Sequence, residues 1–345
     1  MAKFYYGGQA VMEGVMMRGR NGVAVAVRRP AGDIYVYEEA LTSKVYTNKL
    51  FRLPFLRGMV LLWEMLVLGT RLMTLSANIS SGAVEPAALD GANVLGGTSQ
   101  KSEDDDEARP AAIGGASLAL TMVVSLGFAV AIFFIGPLLL ASLLGPVLGG
   151  GLLNLLLEGV IRLALLLGYL TLIGRVPDIQ RVFGYHGAEH KAINTMEQGY
   201  PLDVEHVRQA SRVHTRCGTG FLLLVMVVSI IVFAFIGSPP LLIKVLSRVV
   251  LVPVVAGIAY ELMRLGAANY RYRVVRWLLA PGLALQGLTT REPDDSMIEC
   301  AIASLNNVVA RDNEVVVEPV IEPALQREDP VLPASAFAPQ VQSQP

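Results

Sequence analysis

The stretch Gly115-Ala-Ser-Leu-Ala-Leu-Thr-Met-Val-Val-Ser-Leu-Gly-Phe-Ala-Val-Ala-Ile-Phe-Phe-Ile-Gly-Pro-Leu-Leu-Leu140 carries no charged side chain. A helix that crosses a bilayer needs about 20 predominantly apolar residues, so this stretch alone points to a membrane. Leu152 to Ile173, Gly220 to Ile236 and Leu241 to Leu265 have the same apolar character. Composition agrees: 53% of the 345 residues are hydrophobic and 17% charged, against about 25% charged in soluble domains, and mean hydropathy is +0.51. The formal net charge of −1 leaves no surplus of cations to neutralise phosphates, which excludes a nucleic-acid binder. The start, Met1-Ala-Lys-Phe-Tyr-Tyr-Gly-Gly8, lacks the basic-then-apolar run of a cleaved signal, so insertion is expected to rest on the internal segments.

The four spans read as two hairpins. Their links, Gly145-Pro-Val-Leu-Gly-Gly-Gly151 and Ser238-Pro-Pro240, hold no Lys or Arg, whereas Arg175 to Cys217 holds Arg175, Arg181, Lys191, Arg208, Arg212 and Arg216. Arg271, Arg273 and Arg276 follow the last span. The positive-inside rule then puts the links outside and both termini in the cytoplasm of a multi-pass inner-membrane protein. Lys244 and Arg248 lie on the wrong side of this count but are outnumbered. A fifth apolar stretch, Leu53 to Leu75, would invert the basic loop if it spanned. Its charges Arg57, Glu64 and Arg71 recur every seven residues, the stripe of a helix lying in the interface or packed beside the bundle.

Outside the spans, Gly22 to Arg29 and Asp33 to Glu38 are β-rich runs around Pro30-Ala-Gly32, a hairpin of amphipathic strands. The chain thus divides into a β-rich element (residues 1–50), an interfacial amphipathic helix (51–79), a flexible acidic linker (80–112), a first transmembrane hairpin (113–174), a cytosolic His-rich helical hairpin (175–217), a second transmembrane hairpin (218–268), cytosolic C-terminal helices (269–312) and a disordered tail (313–345). In the C-terminal region Asp294 can cap a helix whose Ile298, Ala301, Ile302, Leu305 and Val308 share one face.

All four histidines, His186, His190, His206 and His214, fall in the Arg175–Cys217 loop. His186-Gly-Ala-Glu-His190 matches H-x-x-E-H, the inverted zinc-peptidase motif. On a helix capped by Asp178 and stopped at Gly199, the two imidazoles share a face and can grip one metal ion, with Glu189 beside them as general base. A second helix is expected from Asp203 to about Gly218. Pairing levels about the turn sets His190 opposite Ser211 and His186 opposite Thr215. His214 therefore joins their layer as third ligand, while His206 lies by the turn and is left out. Cys217 is either a fourth ligand or an ordinary buried thiol. Three protein ligands would leave the open position of a catalytic zinc site. Four ligands would make a structural staple, and without metal the histidines would simply be core residues. Lys191, Arg208, Arg212 and Arg216 are candidates to hold an anionic substrate or a lipid headgroup or are the residues that fix topology.

Within the spans, Glu158 and Arg162 are spaced for an i,i+4 pair and Glu261 and Arg264 for an i,i+3 pair. Ionisable groups at that depth mark either a pathway or a helix-to-helix lock.

Four blocks, Gly7-Gly-Gln-Ala-Val-Met-Glu-Gly-Val-Met-Met-Arg-Gly19, Phe183-Gly-Tyr-His-Gly-Ala-Glu-His-Lys-Ala-Ile-Asn194, His214-Thr-Arg-Cys-Gly-Thr219 and Pro281-Gly-Leu283 through Thr289-Thr-Arg-Glu-Pro293, resemble the YqhQ-like family of bacterial membrane proteins, described as predicted metal-dependent enzymes. The resemblance implies a metal at His186 and His190 with Glu189 between them, and leaves substrate and reaction unassigned. In the first block Glu13, set among glycines, is either a site-facing acid or part of the turns that precede the β-hairpin.

These readings add up to a mainly α, integral membrane protein. It has four transmembrane helices in two hairpins, a cytosolic helical hairpin and a small N-terminal β element. The expected activity is metal-dependent hydrolysis at the cytosolic membrane face. His186, His190 and His214 would hold a divalent ion, zinc by preference, with Cys217 the candidate fourth ligand, and Glu189 would be catalytic. Glu13, Lys191, Arg212 and Arg216 would assist, and the substrate would be a membrane-associated peptide or lipid-linked molecule. The alternatives are a non-catalytic membrane assembly protein with a structural histidine cluster, and a small channel or transporter using Glu158 and Arg162.

Overall fold

The computed structural model describes residues 6–41, 51, 53–83, 115–148, 151–237 and 239–314; most of the acidic linker and nearly all of the tail lie outside them. Strands β1 (Gly7–Val11), β2 (Gly14–Arg18), β3 (Gly22–Arg28) and β4 (Ile34–Ala40) form an antiparallel meander in the order β1-β2-β3-β4. The helices are α1 (Leu56–Ser80), α2 (Gly115–Val130), α3 (Gly136–Leu148), α4 (Gly151–Ile173), α5 (Pro177–Glu197), α6 (Val204–Gln209), α7 (Gly218–Ala234), α8 (Leu241–Ala268), α9 (Arg273–Thr289) and α10 (Asp295–Glu314). A single π turn, Ala131–Ile135, joins α2 to α3.

The sheet corrects two expectations. Gly7–Val11 and Gly14–Arg18 are paired strands rather than turns before a hairpin, with Gly7 opposite Arg18 and Val11 opposite Gly14. Nor is β3 amphipathic: Val23 to Val27 are all buried because both faces are covered. Ala24 and Ala26 pack with Tyr185, Ala188 and Ile193 of α5 and Ile298, Ala301 and Leu305 of α10. Val23, Val25 and Val27 pack under Leu68, Leu72, Leu75 and Ile79 of α1. A strand buried on both faces reads as a continuous apolar run, here Val-Ala-Val-Ala-Val. The face expected for α10 is the one it buries, and Asp294 Oδ1 caps it by accepting from Met297 N–H at 2.9 Å.

Among the described residues, four helical stretches could cross a membrane by length and composition, namely Leu56–Ser80, Leu120–Leu144, Leu153–Ile173 and Leu241–Ala268, with Gly218–Ala234 a shorter apolar helix. This set includes α1, which the sequence reading kept out of the spans. The C-terminal half of α1 covers the sheet, and its N-terminal end lies on α8, where Gly58 sits under Tyr260 and Arg57 Nε donates to Glu261 at 2.6 Å. Its seven-residue charge stripe faces protein partners: Arg57 pairs with Glu261, Glu64 with Arg18 and Arg71 with Glu39. The pair expected between Glu261 and Arg264 is loose at 3.9 Å, because Arg57 takes the carboxylate.

Helices α3 and α4 pack as one hairpin and α7 and α8 as another, with α4 against α7. The first link is tighter than expected, since α3 runs to Leu148 and α4 begins at Gly151. Between the hairpins Glu158 accepts from Arg162 at 2.5 Å and from Arg248 at 2.9 Å, all three being buried. Arg162 also donates to Ser229 Oγ at 2.6 Å and to the Phe133 carbonyl, inside the π turn, at 2.9 Å. One carboxylate and two guanidiniums thus tie together α4, α7, α8 and the π turn, with Arg248 lying over the Phe233 ring at 3.9 Å.

Candidate metal centre

Helix α5 opens with Pro177 at its first position, rather than on an Asp178 cap, and stops at the left-handed Gly199, φ 76°. Its central turns are enclosed by the sheet, α10 and the 210–217 segment, so His190 is 1% exposed and the His186 side chain 18%. The two rings lie one turn apart with centroids 4.4 Å from each other. His186 Nδ1 is 2.8 Å from the Thr289 carbonyl and His190 Nδ1 is 2.5 Å from the Arg212 carbonyl. A carbonyl only accepts, so both Nδ1 atoms carry hydrogen, and in the neutral ring this leaves Nε2 as the atom with a lone pair for a metal. Metal-ligating histidines are typically fixed in this way.

Cys217 Sγ lies 3.4 Å from His186 Nε2, and the donor atoms of His186, His190 and Cys217 are all within 4.8 Å of one another. Tetrahedral zinc bound by nitrogen at about 2.0 Å and sulfur at about 2.3 Å separates adjacent donors by roughly 3.5 Å. The three donors could hold one metal ion once the longer separations, which involve His190, close to that spacing. His214 lies in the same layer, its ring 5.5 Å from that of His190, but falls outside this group of donors. Its Nε2 accepts from Arg216 Nη2 at 3.2 Å, and its backbone is clasped at both N–H and carbonyl by the Gln286 side chain, at 3.0 and 2.7 Å. Burial, aided by the neighbouring Arg216 charge, holds His214 well below the usual histidine range, so it is neutral.

The second helix of the expected hairpin is a single short turn, Val204–Gln209, and residues 210–217 are irregular. The carbonyls that would continue it are taken by α5: Asn194 Nδ2 donates to Ser211 and Val213 at 2.7 and 3.0 Å, and His190 bonds Arg212. His206, left out of the site, is half-buried and bound to Asp203.

Glu189 is buried, with its carboxylate 3.9 Å from Nε2 of both His186 and His190. Burial raises its pKa above the carboxylate value, opposed by His186 and by a hydrogen bond from the Gly8 N–H. Gly8 is the residue that sequence reasoning missed: a Cβ there would stand 2.6 Å from the Met16 carbonyl and 2.8 Å from Glu189 Cγ. Strand β1 can reach the acid only as bare backbone. The signal was the Gly7-Gly8 pair itself. Because the folded pKa of Glu189 is raised, its contribution favours the fold only below the unfolded value and turns against it as pH rises through the folded value. Metal-free Glu189→Gln is therefore expected to melt at a higher temperature than metal-free wild type at pH 7 and to lose that advantage by about pH 4, as read by thermal denaturation.

Gly187, inside the motif, has an equally tight neighbour, since a Cβ would fall 2.1 Å from the Arg291 carbonyl and 3.4 Å from Pro293 Cδ. The end of α9, which runs directly into this loop, supplies the Thr289 carbonyl that holds His186. Gly187→Ala is expected to cost about 1–3 kcal/mol by overpacking and to weaken metal retention, checked by denaturation and metal analysis of one preparation.

The remaining candidates are engaged elsewhere. Glu13, at φ 50°, is held by Arg181 at 2.6 Å and Tyr185 at 3.2 Å, and Arg181 lowers its pKa. Lys191 donates to the Arg208 carbonyl at 2.6 Å and pairs with Glu292, Arg212 pairs with Glu292 at 3.0 Å, and Arg216 pairs with Glu197.

Residues 53–311 match the family described as protein of unknown function DUF1385. The chain belongs to this family. It is similar to the uncharacterized protein YqhQ of Bacillus subtilis (strain 168), with 36% identity over 304 residues that cover 88% of this chain and 92% of the relative. No solved structure matches. The family match includes all the donors and the 289–293 loop, and leaves out the sheet that brings Gly8 to Glu189.

Proposed function

We propose that the chain is a metal-dependent hydrolase acting at the cytosolic face of the bacterial inner membrane, on a membrane-associated peptide or a lipid-linked molecule. The supporting observation is the convergence of three donors within 4.8 Å, two of them histidines with Nδ1 already committed to carbonyls, beside a buried carboxylate 3.9 Å from both Nε2 atoms. His186, His190 and Cys217 would hold the ion, zinc by preference, leaving a fourth position open. Bound there, zinc would supply Lewis acidity and make water nucleophilic near neutral pH. Glu189 takes the proton of the attacking water and returns it to the leaving group, a role suited to a carboxyl whose pKa burial has raised. Thr289 and Arg212 keep the two imidazoles oriented through their carbonyls, and Gly8 N–H fixes the carboxylate.

The closeness of the His190 and His214 rings, 5.5 Å, favours a second reading, in which His214 closes the fourth position and the metal is a structural clasp of a membrane assembly protein. The test is a screen of membrane-anchored peptide, ester and phosphodiester substrates with zinc-loaded protein in nanodiscs. Turnover abolished by chelator and restored by zinc supports the hydrolase. Folded, zinc-loaded protein that hydrolyses none of them contradicts it and favours the clasp.

A further inference from the structure

A cleft of about 450 Å³ opens where the last turn of α4 meets the loop after α9, a volume within the range of small-ligand sites. Arg175, Arg212 and Arg291 line it together with a single acid, Glu292, and with Leu170 and Leu288 on its apolar side. Glu292 is already shared between Arg212 and Lys191, so the cleft keeps a surplus of positive charge. Two guanidiniums are held in place by carbonyls: Arg291 Nη2 donates to Gly174 at 2.9 Å and Arg212 Nη1 to Thr290 at 3.3 Å. Among the described residues the exposed Arg175 guanidinium has no hydrogen-bond or ion-pair partner, although it shares the cleft with the other two. Positive-inside topology accounts for basic residues near a span end. It does not require three of them to converge on one concavity with two of their forks anchored.

We infer that this cleft binds a phosphate monoester group, which matches guanidinium forks in shape and charge. The cleft and the metal donors share their framework. The Arg212 carbonyl orients His190 while its guanidinium lines the cleft, and Thr289, whose carbonyl orients His186, precedes the lining residue Thr290. As a handle on the substrate the phosphate rests on the hydrolase reading; as a binding site it is independent of it. The phosphate can come from a lipid, since Leu170 lies in the last turn of an apolar helix, or from a soluble ester.

The test uses full-length protein in the presence of chelator, so the fate of the metal reading does not affect it. One arm counts phosphatidic acid retained from mixed phosphatidylcholine nanodiscs by native mass spectrometry, and the other titrates glycerol phosphate by calorimetry in phosphatidylcholine alone. Binding is expected in at least one arm, weakened about tenfold or more in Arg175→Gln, the loss of one charge-assisted contact, and recovered in Arg175→Lys. Phosphatidic acid binding alone identifies a lipid source, and glycerol phosphate binding a soluble one. No binding by folded wild type in either arm, or equal binding by Arg175→Gln, overturns the inference.

Discussion

Zinc-loaded Glu189→Gln is expected to hydrolyse substrate about 10²–10⁴-fold more slowly than wild type, with its zinc content unchanged. The amide keeps the shape of the side chain and its carbonyl oxygen still accepts from the Gly8 N–H, so the packing of β1 on α5 survives. What is lost is a proton acceptor 3.9 Å from both imidazole Nε2 atoms. The three donors do not include Glu189, which is why metal content separates a catalytic role from a structural one. Comparable turnover in the variant would remove Glu189 from the chemistry. A lost metal would make it a ligand instead. Combined with the higher melting temperature expected for the metal-free variant, the substitution should exchange activity for stability, the usual signature of a functional group held in a costly environment.

Glu158→Gln is expected to destabilise the helical bundle by about 3–5 kcal/mol, the cost of leaving buried charge uncompensated. Arg162 and Arg248 both depend on this carboxylate, at 2.5 and 2.9 Å. Arg248 Nε is already buried without a hydrogen-bond partner, so the loss of the acid would leave a second part of that guanidinium uncompensated. Reversible unfolding in mixed micelles would measure the loss. A variant as stable as wild type would show that the network is not a lock between the hairpins and would return Glu158 and Arg162 to the transport alternative.

The helices were legible where one physical rule dominates. Apolar runs long enough for a bilayer, the stop at Gly199 and the face of Ile298, Ala301, Leu305 and Val308 follow from length, backbone freedom and period. The N-terminal sheet was half legible. Its β3 announces itself as Val-Ala-Val-Ala-Val, but β1 and β2 are rich in glycine and methionine, residues that carry weak strand preference, and their pairing depends on α1 and α5 covering the sheet. The same long-range packing hid the role of Gly8, because no local rule says that residue 8 meets residue 189.

At the site, the clustering of His186, Glu189 and His190 was visible from the i,i+4 spacing alone. His214 and Cys217 were brought to the same layer by assuming a helix that does not form. The layer survived because Ser211, Arg212 and Val213 give their carbonyls to Asn194 and His190 rather than to one another, which keeps the segment alongside α5. The irregular path turns Cys217 toward His186 Nε2 and His214 toward Arg216, so the sulfur lies in the donor group and the third imidazole beside it. Sequence spacing cannot rank two such residues when the backbone between them is set by side chains of another element.

The most direct test of the central claim is the zinc content, by elemental mass spectrometry, of chelator-free wild type, His190→Ala, Cys217→Ala and His214→Ala. The geometry predicts close to one zinc per chain in wild type and His214→Ala, and little in His190→Ala and Cys217→Ala. Folded wild type that holds no zinc even after zinc is added, or Cys217→Ala that keeps a full complement, would contradict it.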